Sequence, residues 1–248
     1  MKNPSYLLCV LAMTNMMFIL TAQQYWASNY MIVVLKGEES LVYPLFVISI
    51  ISASITGSIT GGVITTKLGG YTNKRTFVLC FIVFLICICA CLPSSFADDV
   101  ILFVVCMWVI IFCLDFIEPV FTGILLNTVC APERATASSV QIFIIFTFGL
   151  LPAPYAYGLI QELTEDIDPV TKTNLSRWGM RAITASSLIG GIALLLALLL
   201  RKSSYNASVI RMKSVLKSNN PNLTPLEVHE LVMEISDKHH EVPHEGAT

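Results

Sequence analysis

Two carboxylates, Asp115 and Glu118, stand three residues apart inside an apolar stretch that runs from Val100 to Leu126. On a helix that spacing places both on one face. A charge at the centre of a bilayer costs roughly 3 kcal/mol or more, so such a pair belongs toward a cavity or a bundle interior. Two carboxylates this close repel each other when both are charged, and a proton or a small cation relieves the repulsion. The chemistry they suit is proton coupling or cation binding, with Pro119 freeing a backbone carbonyl as a further ligand. Two other readings stay open: the acids pair with basic or hydroxyl groups of neighbouring helices and are structural, or they sit near an interface with access to water.

A second group lies in the first apolar stretch, where Gln23, Gln24, Tyr25, Trp26, Asn29 and Tyr30 mix amides with aromatic rings. That mixture suits a cavity for an amphipathic solute, the amides bonding a head group and the rings covering an apolar body. It equally suits an aromatic belt at the membrane interface. Gln141 and Asn127 are weaker candidates of the same kind. In the second stretch Ser52, Ser54, Thr56, Gly57, Ser58, Thr60, Gly61 and Gly62 form a dense run of small residues containing a Gly57-x-x-x-Gly61 step, which predicts close helix packing rather than ligand binding. Cys87, Cys89 and Cys91 follow one another at about 200° per step on a helix, so they diverge and do not form a metal site. The eight cysteines read as reduced core residues. No nucleophile with a base partner and no phosphate-binding glycine loop occurs, so an enzymatic function has little to stand on. No cofactor, metal or nucleic-acid partner is expected.

The elements that must position these groups are six apolar runs: 6–35, 43–66, 76–92, 100–126, 135–160 and 182–200. A helix needs about 20 mostly apolar residues to cross a bilayer, and every run is near or above that length. The chain is 55% hydrophobic and only 13% charged over 248 residues, with a mean hydropathy of +0.72. Irregular chain or open sheet would leave backbone groups unpaired in lipid, so the runs must be helices. The expected fold class is all-α integral membrane, with six transmembrane helices in one domain (1–202). The first run is too long, and too polar at Gln23 and Gln24, for a cleavable signal peptide.

Basic residues set the expected orientation. The N-terminus, the second and fourth links and the start of the tail carry seven basic residues, Lys2, Lys67, Lys74, Arg75, Arg134, Arg201 and Lys202, against one acid, Glu133. The opposite links carry four basic and eight acidic residues. By the positive-inside rule both termini are cytoplasmic. Asn174-Leu175-Ser176 is then a glycosylation acceptor in the longest outer link, at Asn174. Plasma membrane and endolysosomal membrane fit this topology alike.

The link after the second run reads Gly62-Val63-Ile64-Thr65-Thr66-Lys67-Leu68-Gly69-Gly70-Tyr71. It resembles the Gly-x-x-x-Asp-Arg-x-Gly signature of the major facilitator superfamily, between the second and third helices of each six-helix half. Gly62, Lys67 and Gly69 match, while Thr66 replaces the acid and removes any charge relay from what the resemblance implies. In physical terms Gly62 lets helix ends approach, Gly69 permits a tight turn, and Lys67 bonds helix-end carbonyls. The fifth run, from Val129-Cys130-Ala131-Pro132-Glu133-Arg134 through Gly149, Pro152, Pro154 and Gly158, is similar to the eleventh helix of Spinster-like members. Its paired prolines predict a bend near the outer side. Tyr6-Leu7-Leu8 and the stretch from Gln24 to Tyr30 are similar to the seventh helix of such transporters.

The resemblance covers residues 3–200 and matches the C-terminal half of the fold. It implies secondary transport of a small organic or lipid-like solute by alternating access, beside a complementary six-helix half or a second copy. Asp115 and Glu118 would carry coupling, Gln23, Gln24, Tyr25, Trp26, Asn29, Tyr30 and Gln141 would line the solute site, and Gly62, Lys67 and Gly69 would shape a gate loop. A different class also fits: a non-transporting six-helix regulator or scaffold that docks to a partner. Whether the chain is a fragment or a half-sized protein is open. Residues 203–248 form a polar cytoplasmic tail, in which Thr224-Pro225-Leu226-Glu227 reads as a capping box opening a short amphipathic helix near 224–237. Arg201, Lys202, Arg211, Lys213 and Lys217 would hold that tail near anionic lipid.

Overall fold

The computed structural model describes residues 4–71, 73–127, 129, 134–163 and 168–200, and these are helical apart from short connections. The expected tail helix lies outside the described residues. α1 (Pro4–Val33) begins with proline, whose missing N–H costs nothing at a helix start. It ends where Lys36 turns to φ +55° and Gly37 N–H donates to the Met31 carbonyl at 2.9 Å, a left-handed cap closed by a six-residue loop. α2 (Glu39–Lys67), α3 (Lys74–Phe96) and α4 (Val100–Asn127) follow. Each of these three carries an internal proline: Pro44, Pro93 and Pro119 respectively.

The fifth span is composite. α5 (Arg134–Ile145) widens into a π-helical turn (Phe146–Leu150) before α6 (Pro152–Leu163) continues. The expected proline bend thus takes the form of a wider turn ahead of the prolines, which adjusts the backbone where Pro152 and Pro154 cannot donate. The sixth span begins earlier than its apolar run. α7 (Pro169–Ala185) passes through one turn at Ser186, whose N–H donates to the Ala182 carbonyl at 3.0 Å, into α8 (187–200). Hydropathy alone placed the start at 182 because α7 carries Lys172, Arg177 and Arg181 among its apolar residues. Arg177 pairs with Asp98 at 2.7 Å, and the Ser95 and Thr184 hydroxyls lie 2.7 Å apart. These contacts tie polar α7 to the end of α3.

Among the described residues six helical segments are long and apolar enough to cross a membrane, and the protein is a multi-pass membrane protein. α4 is the central helix, touching α1, α2, α3 and α5. It buries Phe103, Met107, Ile110, Ile111, Leu114 and Phe121 among others. Tyr30 of α1 packs its ring 5.1 Å from Phe103, and Phe77 of α3 lies 5.5 Å from Phe121. The face of α4 that meets its neighbours is enclosed, and Asp115 lies on that face. The seven described cysteines form no disulfide with one another, and six of them are buried.

Candidate functional site

α2 presents Ala53, Gly57 and Gly61, all buried, along one stripe. A methyl carbon on Gly57 would lie 2.6 Å from the Phe112 carbonyl oxygen and 3.3 Å from Asp115 Cβ, and one on Gly61 would meet the Phe116 carbonyl. The small-residue step therefore brings two backbones into contact, as its spacing predicts. Asp115 lies in that seam and is only 6% exposed. Ser54 of α2 stands beside its carboxyl, and among the described residues Oδ2 is buried without a partner. Glu118, one turn further and half-buried, stands within the field of Asp115. Among the described residues the one ion pair is Arg177 with Asp98, so neither carboxylate of α4 meets a cation there.

Consecutive residues on a helix point about 100° apart, so Ser52 and Ser54 flank Ala53 on opposite sides of the seam. Ser54 serves Asp115. Ser52 accepts the Trp108 indole N–H at 3.0 Å, and Trp108 stacks on Phe112 with centroids 5.3 Å apart. Phe116 continues this row at 6.3 Å from Phe112. Sequence reasoning missed Ser54 as a neighbour of Asp115 and the row Trp108, Phe112 and Phe116 along the other side of the seam. The available signal was spacing: Trp108, Phe112 and Phe116 recur at four-residue intervals, and Asp115 follows Phe112 by three.

The six polar and aromatic residues of α1 occupy different environments. Gln23 is fully buried, and neither amide atom has a partner. Gln24 is half-buried and Tyr25 exposed. Trp26 donates to the Pro154 carbonyl at 2.8 Å, with Gly158 beneath its ring. Asn29 is half-buried with its Oδ1 enclosed and unpartnered, and Tyr30 belongs to the core beside Phe103. Residues 23 to 26 span all sides of a helix, so one surface does not gather the group. Gln141 of α5 is buried. Asn127 donates to its own helix at Gly123. α1 meets the fifth span at three levels: the Tyr6 hydroxyl donates to Ala137 at 2.7 Å, a methyl on Gly149 would lie 2.7 Å from the Thr14 carbonyl, and Trp26 closes the far end.

At the α2–α3 turn Gly69 and Gly70 take φ +92° and +83°, conformations open to glycine at little cost. Anchoring of the turn falls to Asn73, whose Nδ2 donates to Leu68 at 2.8 Å, and to Thr76, which donates to Gly70 at 2.8 Å. Lys67 is exposed. Nothing lies within 4 Å of a methyl on Gly62, and the close approach within this chain is made by Gly57 and Gly61. Ser58, Ile59, Gly62, Val63, Thr66 and Lys67 line a shallow open groove on α2. Asn174 is exposed on α7 and Ser176, which completes the acceptor triplet, is buried. No group of three or more His, Cys, Asp or Glu able to hold a metal occurs among the described residues.

No family model matches the chain, and no curated protein does. Among solved structures it is similar to a bacterial homologue of the human lysosomal transporter Spinster, captured inward-facing and occupied. The TM-score is 0.58 at 16% identity, over 81% of this chain and 50% of that one. The chain therefore spans half the length of that protein. Its six-span fold is that of half of that bacterial protein.

Proposed function

We propose that the chain is the C-terminal half of a secondary transporter, which moves a small organic or lipid-like solute by alternating access against a complementary half or a second copy. The observation that carries this reading is Asp115, a carboxylate enclosed at the α2–α4 seam of a transporter-like bundle with no cation partner among the described residues. An enclosed acid of that kind exchanges a proton or cation when a rocking bundle opens it to water. Glu118 shares the site as the second carboxylate. Gln23, Gln24 and Asn29 offer amides toward the solute, with Tyr25 and Trp26 as ring surfaces. The turn with Gly62, Lys67 and Gly69 forms the gate on the side that the basic links assign to the cytoplasm. Asn174 then faces the exterior or a lumen as a glycan acceptor.

The test is uptake of amphipathic candidate solutes into proteoliposomes with an imposed pH gradient, using the chain together with any co-purifying half. Gradient-dependent uptake that disappears in Asp115→Asn or Glu118→Gln is expected. Unchanged gradient dependence in both variants would end the coupling role. A chain that gives no uptake but stays bound to an intact transporter would instead be a regulator.

A further inference from the structure

Arg181 of α7 is fixed at the end of α3 in a way that the transport reading does not use. Its Nε donates to the Ser95 carbonyl at 3.1 Å, in the last turn of α3, where unpaired carbonyls carry the negative end of the helix dipole. The guanidinium carbon lies 4.7 Å from the Phe96 ring centroid and 5.1 Å from that of Trp178, so two aromatic faces hold its plane. Both rings are largely exposed, at 67% and 63%. Phe96 closes its span, and the connection at 97–99 separates it from the next. Aromatic side chains in that position favour the membrane interface.

The two nearby acids meet other groups. Asp98 is taken by Arg177 at 2.7 Å, and Asp99 accepts from the Leu102 N–H at the start of α4. No carboxylate lies within ion-pair distance of Arg181 among the described residues. Exposed Leu92 sits one turn from Phe96 on α3, and exposed Leu188 and Ile189 sit two turns from Arg181 on α8. The result is an oriented guanidinium with its two terminal nitrogens free of a carboxylate, framed by interfacial rings above an apolar surface.

We propose that Arg181 is a phospholipid site, which grips the headgroup phosphate through its terminal nitrogens while an acyl chain runs over Leu92 and the face of α8. Arg suits this role because its planar fork matches two phosphate oxygens, and such charge-assisted pairs are about twice as strong as neutral hydrogen bonds. Apolar contact alone would hold a lipid without regard to its head group.

Native mass spectrometry of the detergent-solubilised full chain tests this with phosphatidylglycerol, diacylglycerol of the same acyl chains, and inorganic phosphate as probes. Phosphatidylglycerol should be retained about tenfold better than diacylglycerol, the ratio that 1.4 kcal/mol gives. Arg181→Gln should remove that preference and Arg181→Lys should keep part of it. Arg177→Gln, which breaks the Asp98 pair but leaves the fork in place, should retain the preference. Equal retention of the two lipids by the unmodified protein overturns the proposal, even if Arg181→Gln fails to fold. So does an unchanged preference in folded Arg181→Gln. Inorganic phosphate that displaces the lipid at equal concentration would make the site one for a free anion and would also overturn it.

Discussion

Gly57 rests on the backbone of Phe112, so closely that a methyl carbon there would lie 2.6 Å from the Phe112 carbonyl oxygen. Neither helix can yield at that point without moving the seam that encloses Asp115. Gly57→Ala should cost about 1–3 kcal/mol, the usual range for overpacking a well-packed interior. Gly62→Ala meets no atom within 4 Å and should be neutral or stabilise the helix by up to about 1 kcal/mol. Thermal unfolding in detergent compares them, and an equal loss in both would show that the α2–α4 contact does not set stability.

The α2–α3 turn separates local geometry from charge. Gly69 stands at φ +92°, where any side chain with a Cβ costs roughly 1–2 kcal/mol. Asn73 accepts from the Arg75 N–H at 3.1 Å and also donates to Leu68, so it caps α3 while closing the turn. Gly69→Ala and Asn73→Ala should each lower the unfolding midpoint, Asn73→Ala by about 0.5–2 kcal/mol. Lys67→Gln should leave stability unchanged and alter only transport rate. A stability loss at Lys67 comparable to that at Asn73 would return the anchoring role to the lysine.

Six spans, their rough bounds and the packing role of the Gly57 to Gly61 step were legible in the chain because lipid permits only one backbone solution and because hydropathy reads directly as depth. What hydropathy could not read was α7, whose arginines sit in a span yet meet Asp98 and the end of α3. Face assignment was the other gap. The stretch from Gln23 to Tyr30 reads as one polar and aromatic group in sequence, but a helix turns it through every direction, sending Tyr30 into the core and Trp26 onto Pro154. Asp115 could be assigned to an interior from its charge alone. Its hydroxyl partner Ser54 could not, because a serine in a small-residue run looks the same whether it packs or donates.

Trp26 and Pro154 hold α1 to the fifth span beyond its π-helical turn. Trp26→Phe keeps the ring over Gly158 but removes the N–H that bonds the Pro154 carbonyl, a loss of about 0.5–1.5 kcal/mol. Tyr6→Phe removes the corresponding bond at Ala137. Because the wide turn lies between the two, Trp26→Phe should speed amide exchange in α6 while leaving α5 protected, and Tyr6→Phe should do the reverse. Hydrogen exchange read by mass spectrometry checks the split. Uniform loosening of both helices by either variant would mean that the π-helical turn does not divide the span into separable parts.

Ser54 and Ser52 stand on opposite sides of Ala53, and their different partners make the seam testable without knowledge of the solute. Ser54→Ala removes the hydroxyl beside the enclosed Asp115 carboxyl, which should cost about 0.5–1.5 kcal/mol, the range for one polar contact. Asp115→Asn changes the same contact, so the double variant should depart from additivity by roughly 0.5–3 kcal/mol, as residues in contact do. Ser52→Ala loses the Trp108 indole contact and a bond to the Ile48 carbonyl of its own helix, and combined with Asp115→Asn it should be additive within about 0.5 kcal/mol. Unfolding midpoints of the six proteins, including the unmodified one, close both cycles. Coupling of Ser52 to Asp115 as strong as that of Ser54 would place the aromatic row and the carboxylate in one network. Absence of coupling at Ser54 would mean that Asp115 is held by something other than α2, and the enclosed acid would then lose its claim to move with the seam.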